Sequence, residues 1–310
     1  MHDRSAYMEL YETGKLESLA EQLEEIARSC TLCPHRCGVN RHRGKNGRCG
    51  SGLKPIVSSF SPHFGEEPPL VGSGGSGTVF FTNCNMRCVF CQNYDISQMG
   101  EGVEVSHEDL ARMMLTLQEL GCHNINFVTP THMIPAILKS VLAAVPKGLR
   151  VPLVYNTGGF DSAEILRLLD GVFDIYMPDF KYADDETGES LSGVVGYATA
   201  AREAVRAMFR QVGDLATAEV ASGYAGMKTS VAVRGLLVRH LVLPENLAGS
   251  FRVIDFLAMV SPDTYVNVMG QYRPLHKARS HPGLGRRATV REVDEVVKYA
   301  RTIGMRRVHQ

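Results

Sequence analysis

The chain has 310 residues, with 33 lysines and arginines balanced by 33 aspartates and glutamates. That length suffices for one large α/β domain plus a small appendage, and the neutral balance gives no global pull towards nucleic acid or an anionic membrane. No apolar run approaches the roughly eighteen residues of a spanning helix, and Met1-His2-Asp3-Arg4 opens no signal peptide. A cytoplasmic protein is therefore expected, in a compartment that keeps thiols reduced, so that its eight cysteines point to metal sites over disulfides.

Residues 7–27 read as a polar amphipathic helix with Leu10, Leu16, Leu19, Leu23 and Ile26 as its apolar stripe. Next comes Cys30-x2-Cys33-x3-Cys37-x11-Cys49, in a segment rich in proline, arginine and glycine. Four thiolates at this spacing in a reducing cell point to a metal. Zinc would make a closed structural site, and a second [4Fe–4S] cluster an electron-delivery or substrate-side site; the residues favour neither. Arg36, Arg41, Arg43, Lys45 and Arg48 would offset the negative charge in either case, and His35 reads as a neighbour of the site, not a ligand. A connector follows, containing Pro62-His63-Phe64-Gly65-Glu66-Glu67-Pro68-Pro69 and a glycine-rich run over 72–77. That run lacks the Gly-Lys-Ser/Thr of a phosphate-binding loop and reads as a flexible lead-in. The expected division is residues 1–72 for the helix and cysteine-rich segment, and 73–310 for the main domain with a C-terminal extension.

From residue 78 onward, strand-like and helix-like segments alternate. Strands are expected over 79–82, 124–128, 153–155, 173–177, 236–243 and 265–268. Helices are expected over 106–120, 135–144, 162–169, 198–212, 250–259 and 290–303. Six such units argue for a parallel sheet with helical crossovers, and right-handed connections curl it with the helices outside. The expected fold class is α/β, a partial (β/α)6 barrel with an N-terminal helix and a cysteine-rich metal-binding segment. Barrels of this kind place their chemistry at the carboxyl ends of the strands.

Directly after the first of these strands stands Cys84-Asn85-Met86-Arg87-Cys88-Val89-Phe90-Cys91-Gln92-Asn93. Thiolates are the standard ligands of iron–sulfur clusters, and three on one turn can hold three irons of a cubane while leaving the fourth open. With Phe90 before Cys91 and Asn93 after it, this segment resembles the radical S-adenosylmethionine (SAM) superfamily, and within it the pyruvate formate-lyase-activating-enzyme-like proteins. The resemblance implies a [4Fe–4S] cluster on Cys84, Cys88 and Cys91, with Phe90 beside the cofactor, and an open iron that chelates the amino and carboxylate groups of SAM. It also implies reductive cleavage of SAM to a 5′-deoxyadenosyl radical that takes a hydrogen atom from the substrate, and an electron donor such as flavodoxin or ferredoxin.

The other strand ends carry polar residues that are costly to bury unless paired: Asn156-Thr157, then Met177-Pro178-Asp179-Phe180-Lys181, then Arg239-His240, then Asn267 to Gln271. SAM, with its carboxylate, ammonium, sulfonium and ribose hydroxyls, needs such a mixed set of partners. Asp179-Phe180-Lys181 is similar to the activating enzymes' Asp-x-Lys motif, which implies that Met177 and Asp179 help hold a monovalent cation beside the SAM carboxylate. Asn156-Thr157 resembles the family's Asp-Thr pair with one charge lost, so a water or a direct lysine contact would stand in for that cation. Arg239 resembles the arginine that approaches SAM. The plain alternatives are a surface ion pair for Asp179 and Lys181, worth little, and structural roles for Arg239 and His240. The second strand departs from the pattern: the superfamily's Gly-Gly-Glu-like segment, which grips the SAM ammonium, is replaced by Val128-Thr129-Pro130-Thr131-His132. Thr129 and Thr131 offer backbone and hydroxyl groups there, and His132 an acid–base group; a helix N-cap at Thr131 is the alternative. Cys122 reads as a small buried residue.

The expected function is a radical SAM enzyme abstracting hydrogen from a peptide backbone or a small molecule. The resemblance to the activating enzymes implies a glycyl-radical enzyme as protein partner, with modification of another peptide or a metabolite as the alternative. A non-catalytic iron–sulfur electron carrier or sensor is the rival from another class, and three cysteines in place of four argue against it. A basic stretch that includes Arg273, Lys277, Arg279, Arg286, Arg287, Arg306 and Arg307 reads as a solvated face or a docking patch for an acidic protein. Nucleic acid is disfavoured by the zero net charge and the few interleaved aromatics.

Overall fold

A computed structural model of the chain describes residues 5–44, 46–221 and 228–310; Lys45, counted above among the basic neighbours of the first cysteines, lies outside them. The expected N-terminal helix is two helices, α1 (Tyr7–Glu12) and α2 (Lys15–Ile26), because Gly14 takes a left-handed φ of 73° between them. Leu16 and Leu23 of the predicted stripe are fully buried. In the cysteine-rich stretch that follows, the described residues form only short 3₁₀ turns, at Ala27–Ser29 and Arg41–Arg43.

Part of the segment read as a connector is a strand. β1 (Ile56–His63) runs antiparallel to β2 (Ser76–Phe81), pairing Phe60 with Val79 and His63 with Ser76. A proline-initiated turn, α3 (Pro68–Val71), lies between them. The chain then continues through α4 (Tyr94–Ser97), the short β3 (Val103–Glu104) and α5 (His107–Glu119), which opens on a Ser106–Asp109 capping box. β4 (Ile125–Val128), α6 (Ile134–Ala144), β5 (Leu153–Thr157), α7 (Ala163–Leu168) and β6 (Ile175–Pro178) repeat the alternation. After α8 (Asp185–Ser192) and α9 (Tyr197–Val212) comes a hairpin the composition did not announce, β7 (Ala216–Ala221) against the first half of β8 (Lys228–Leu241). α10 (Ser250–Val260), β9 (Tyr265–Met269), α11 (Val290–Thr302) and β10 (Val308–His309) complete the chain.

The sheet order is β10-β9-β8-β6-β5-β4-β2-β1-β3. Strands β2, β4, β5, β6, β8 and β9 pair in parallel, so six β/α units form the expected partial barrel, and the sheet stays open because its two ends do not pair. Parallel strands are buried on both faces, and two apolar layers show this. Outside, Leu110, Met114 and Leu117 of α5 and Ile137 and Val141 of α6 pack with Phe127 and Tyr155. Inside, Leu70, Val154, Ile175, Met177, Leu237 and Tyr265 form a smaller cluster. Each such side chain contributes about 1.5–3 kcal/mol on burial. Successive strand residues point to opposite faces, so Asn156 and Met177, paired across β5 and β6, share the inner face with Asp179 and Arg239, which bridge one step further on.

Candidate active site at the strand ends

Cys84, Cys88 and Cys91 lie on the loop from β2 to α4, at the carboxyl end of the sheet. Asn83, with φ 72°, turns the chain out of the strand, its N–H bonding to the Ile96 carbonyl and its amide to Ser51. The loop is held from the far side by α8: Arg87 N–H donates to Ser192 O and Val89 N–H to Leu191 O. The Arg87 guanidinium threads beneath it to the carbonyls of Cys84 and Ser97. Each thiol has a polar neighbour: Met86 N–H lies 3.3 Å from Cys84 Sγ, Ser192 Oγ donates to Cys88 Sγ at 3.0 Å, and Ser97 Oγ lies 3.1 Å from Cys91 Sγ. Burial pushes the Cys84 thiol up to about 12, with Cys88 adding to the rise. Cys88 is also raised by burial, against the pull of Lys181. Crowded, half-buried thiols of this kind suit a soft metal, because ligation removes the protons that burial otherwise retains. Phe90 is buried beneath the loop, edge-on to Tyr182 at 6.4 Å and to Tyr272 at 5.7 Å.

The strand ends opposite this loop converge. Arg239 distributes its three nitrogens over three elements: Nε donates to Asp179 Oδ1 at 2.8 Å, Nη2 to Asn156 Oδ1 at 2.9 Å, and Nη1 lies 3.5 Å from Glu66 Oε2. Lys181 Nζ donates to Asp179 Oδ2 at 2.7 Å. Asp179 and Lys181 are therefore no solvated surface pair, each side chain being 17% exposed. Burial alone would raise the Asp179 carboxyl, but Arg239 and Lys181 outweigh it and hold it below the ordinary carboxylate range. Burial likewise works against Lys181, yet Asp179 outweighs it and holds its pKa up, with Cys88 acting in the same sense. Lys181 thus couples the cysteine loop to the strand-end network.

Sequence reasoning missed Glu66 and Glu67, which enter this network from the turn ahead of α3. Glu67 accepts two bonds from Asn267 Nδ2, at 2.9 and 2.7 Å, and burial raises its carboxyl. Two adjacent carboxylates before Pro68-Pro69 were the available signal, but only the tertiary fold says what they reach. Asp161 was missed as well. It is buried, accepts from Thr131, Thr157 and Tyr155 at 2.7, 2.6 and 2.9 Å, and is raised by burial against those three hydroxyls. Thr131 is consequently no helix cap; α6 starts at Ile134 with Met133 in the cap position. Thr129 takes a left-handed φ of 60° while donating to the Asn156 carbonyl. That backbone conformation is an outlier for a β-branched residue and marks a constrained strand end.

Both histidines considered at the strand ends are core residues. His132 is buried, donates from Nε2 to the Thr82 carbonyl at 2.9 Å, and is pushed down to about 4 by burial. His240 bridges the Phe180 carbonyl and Ser250 Oγ and is likewise pushed down to about 4 by burial. Cys122 is buried ahead of β4, as expected.

The four N-terminal cysteines fold round one another. Cys30 N–H donates to Val39 O, Gly38 N–H to Cys30 O, and Arg36 N–H to Cys33 O. Burial pushes the Cys33 thiol up to about 12, and Cys49, Cys37 and Cys30 each add to the rise. Gly47 lets the chain pass close to this turn, since a Cβ there would stand 2.9 Å from Cys37 Sγ and force a side chain to shift. As they stand, no three or more His, Cys, Asp or Glu side chains among the described residues are drawn together closely enough to grip a metal ion. Of the basic neighbours, Arg36 pairs with Glu164, Arg41 is buried against the carbonyls of Gly52 and His132, and Arg43 and Arg48 are exposed. This segment lies directly against the cysteine loop. His35 Nε2 donates to Asn85 O at 2.7 Å, and Arg87 Nη2 donates to Arg48 O at 3.1 Å.

The sequence pattern of the Radical SAM superfamily matches residues 78–228. An uncharacterized protein of Methanocaldococcus jannaschii is 31% identical over 303 residues, 94% of this chain and 80% of that one. The pyruvate formate-lyase 1-activating enzyme of Escherichia coli K12 is 30% identical over 136 residues, 41% of this chain and 54% of the enzyme. Among solved structures, HydG, a maturase of the [FeFe]-hydrogenase, superposes with a TM-score of 0.50 at 12% identity, covering 74% of this chain and 50% of HydG. Streptococcus suis SuiB, solved with its precursor peptide SuiA, gives a TM-score of 0.50 at 11% identity over 74% and 46% of the two chains. At these identities both speak for the fold alone.

Proposed function

Because the chain belongs to the radical SAM superfamily, we propose that Cys84, Cys88 and Cys91 hold a [4Fe–4S] cluster and that the strand-end network binds SAM, making this an enzyme that abstracts hydrogen from a protein substrate. The cluster and SAM, when bound, supply the reductive cleavage and the radical. The chain's own residues supply the rest. Lys181 and Arg239 present positive charge to the SAM carboxylate, and Asp179, bonded to both, fixes their positions. Asn156, Thr157 and Met177 stand on the same strand ends and would flank a monovalent cation or a water beside the SAM carboxylate. Thr129 and Thr131 line the side where the superfamily's usual carboxylate is missing, and Phe90 backs the loop with its aromatic neighbours. The observation that carries this reading is the convergence of Lys181, Asp179, Arg239 and Asn156 next to an incomplete ligand set. A plain electron carrier would need no such network.

The likeness to the activating enzyme of Escherichia coli supports a glycyl-radical enzyme as substrate, with a glycine Cα–H as the hydrogen taken. Asn156 and the segment Thr129-Pro130-Thr131-His132 favour a second reading, in which a divergent site modifies another peptide or a metabolite. The N-terminal cysteines would hold zinc or a second [4Fe–4S] cluster once metal draws their thiols together, and an electron donor such as flavodoxin or ferredoxin would supply the electron. The test is anaerobic reconstitution followed by dithionite reduction with SAM. The wild type should release 5′-deoxyadenosine, and replacing any one of Cys84, Cys88 and Cys91 by alanine should abolish it. Continued product from the triple alanine variant would overturn the reading. A glycyl-radical signal on a co-incubated partner enzyme, or a mass change on a peptide or metabolite, separates the two substrate readings.

A further inference from the structure

The chain leaving β9 does not return directly to a helix. Residues 272–281 cross to the cysteine loop that follows β2, a strand five places away from β9 in the sheet path. Tyr272 packs on Phe90 and is fixed by its hydroxyl, which donates to Leu284 O at 2.8 Å. His276, in a left-handed conformation with φ 51°, stacks on Tyr94 at 4.8 Å. Lys277 N–H donates to the carbonyl of Val89 at 2.8 Å, between Cys88 and Cys91. This strap is thus bonded to the loop that carries the three thiols.

Its outward side chains are basic and unneutralised. Arg273, Lys277 and Arg279 are exposed, and none makes a salt bridge among the described residues. Three other C-terminal cations are engaged, Arg286 with Glu292, Arg306 with Asp263 and Arg307 over the Tyr265 ring, whereas the exposed Arg287, Lys298 and Arg301 lie away from the residues bonded to the cysteine loop in sequence. Leu275, 41% exposed, lies on the same short stretch of chain as the three unpaired cations. A small apolar spot ringed by one sign of charge steers and docks a surface of the opposite sign.

We propose that this strap is the docking surface for an acidic one-electron carrier protein, an inference that rests on the cluster reading of Cys84, Cys88 and Cys91. The transfer makes and breaks no bond: the carrier is oxidised by one electron and the cluster is reduced by one. A substrate must reach the inner face of the barrel, where Asp179 and Arg239 lie, whereas the strap is tied to the residues between two of the thiols. RNA is disfavoured because two of the strap's aromatic rings are already engaged, Tyr272 being buried and Tyr94 covered by His276.

The test uses the full chain, reconstituted anaerobically, with reduced flavodoxin as the probe. Binding is followed by fluorescence anisotropy of labelled flavodoxin and electron transfer by bleaching of the cluster absorbance. The wild-type complex should weaken steeply between low and physiological salt. The variant Arg273→Glu/Lys277→Glu/Arg279→Glu should lose at least about tenfold in flavodoxin affinity and in reduction rate, with dithionite reduction, SAM affinity and melting temperature unchanged. Wild-type reduction of the variant by flavodoxin would overturn the proposal, as would lost RNA binding with flavodoxin binding retained. A wild type that assembles no cluster would instead sink the underlying reading, and that failure is visible before flavodoxin is added.

Discussion

Cys84, Cys88 and Cys91 sit on a loop whose ends are fixed by a fully paired strand and a helix, and whose middle is bonded to α8. Cys30, Cys33, Cys37 and Cys49 sit on a stretch whose described residues contain no strand and only single 3₁₀ turns. The first set is positioned by the barrel, so its spacing serves chemistry that the scaffold directs. The second has little but its own backbone bonds and its thiols to define its shape. Metal ligation is then folding free energy for that segment, while the barrel loop keeps its shape from tertiary contacts. The two sets nevertheless touch, through His35 and Asn85 and through Arg48 and Arg87.

The largest separation between the two regions should come from replacing Cys30, Cys33, Cys37 and Cys49 together by serine. One complement of metal should disappear, analysis of iron, zinc and sulfide naming which, while the cluster on Cys84, Cys88 and Cys91 still assembles. Unchanged metal content would remove the N-terminal site altogether. Loss of both complements would mean that the barrel loop depends on its neighbour.

Acidification probes the barrel side. His132 supports the Thr82 carbonyl two residues before Cys84, and both His132 and His240 are pushed down to about 4 by burial. Their stabilisation is complete above the unfolded imidazole value of about 6.5 and is lost as pH falls towards the folded value. Asp174, raised by burial to about 6, works in the opposite sense, since its protonated form is favoured in the fold. These two imidazoles against this one carboxyl leave a loss of about 2 kcal/mol between pH 7 and pH 5, read from urea midpoints. A flat profile would show that the two rings accept protons inside the fold.

Asp179→Asn tests the network that the barrel loop faces. Its carboxylate serves both Lys181 and Arg239, and losing one charge-assisted contact costs about 1.5–3 kcal/mol, roughly ten- to a hundredfold in SAM affinity or cleavage. Iron content and the visible spectrum should stay as in the wild type. Unaltered SAM affinity and cleavage would reduce Asp179 to a structural partner of Arg239.

Much of this architecture is legible in the chain because the signals are local. The six apolar runs gave the six parallel strands, and the thiol spacing together with its place after the first run pointed to the loop. What escaped was set by distance or by polarity. β1 hides in a stretch containing Pro62 and three serines, and becomes a strand only because β2 offers it a partner. β7 is almost wholly exposed, with no apolar alternation to read, and exists as the partner of β8. Glu66 meets Arg239 across more than 170 positions of sequence, and no local pattern reports such a contact. His240 looked like a strand-end functional group, but the inner and outer faces of β8 alternate, and it falls on the outer one, against Ser250.

The smallest effect expected is the most informative about how the two cysteine segments communicate. Burial lowers the His35 imidazole, which favours its neutral form, and its Nε2–H closes on the carbonyl of Asn85. The Asn85 amide in turn donates to Phe160 O at 2.8 Å, and the His35 ring stands edge-on to Phe160 at 5.1 Å. One side chain therefore ties the Cys33–Cys37 turn both to the loop of Cys84 and to the end of β5. His35→Ala removes one neutral hydrogen bond and a ring contact, about 1 kcal/mol in total, and should lower the urea midpoint slightly with both metal complements intact. His35→Gln, which can still donate to the carbonyl, should recover most of the loss. Faster amide exchange confined to residues 84–88 would place the tie where the structure draws it. If the alanine variant also lost metal from Cys30, Cys33, Cys37 and Cys49, the tie would be a requirement for the N-terminal site itself, and the independence of the two regions would have to be given up.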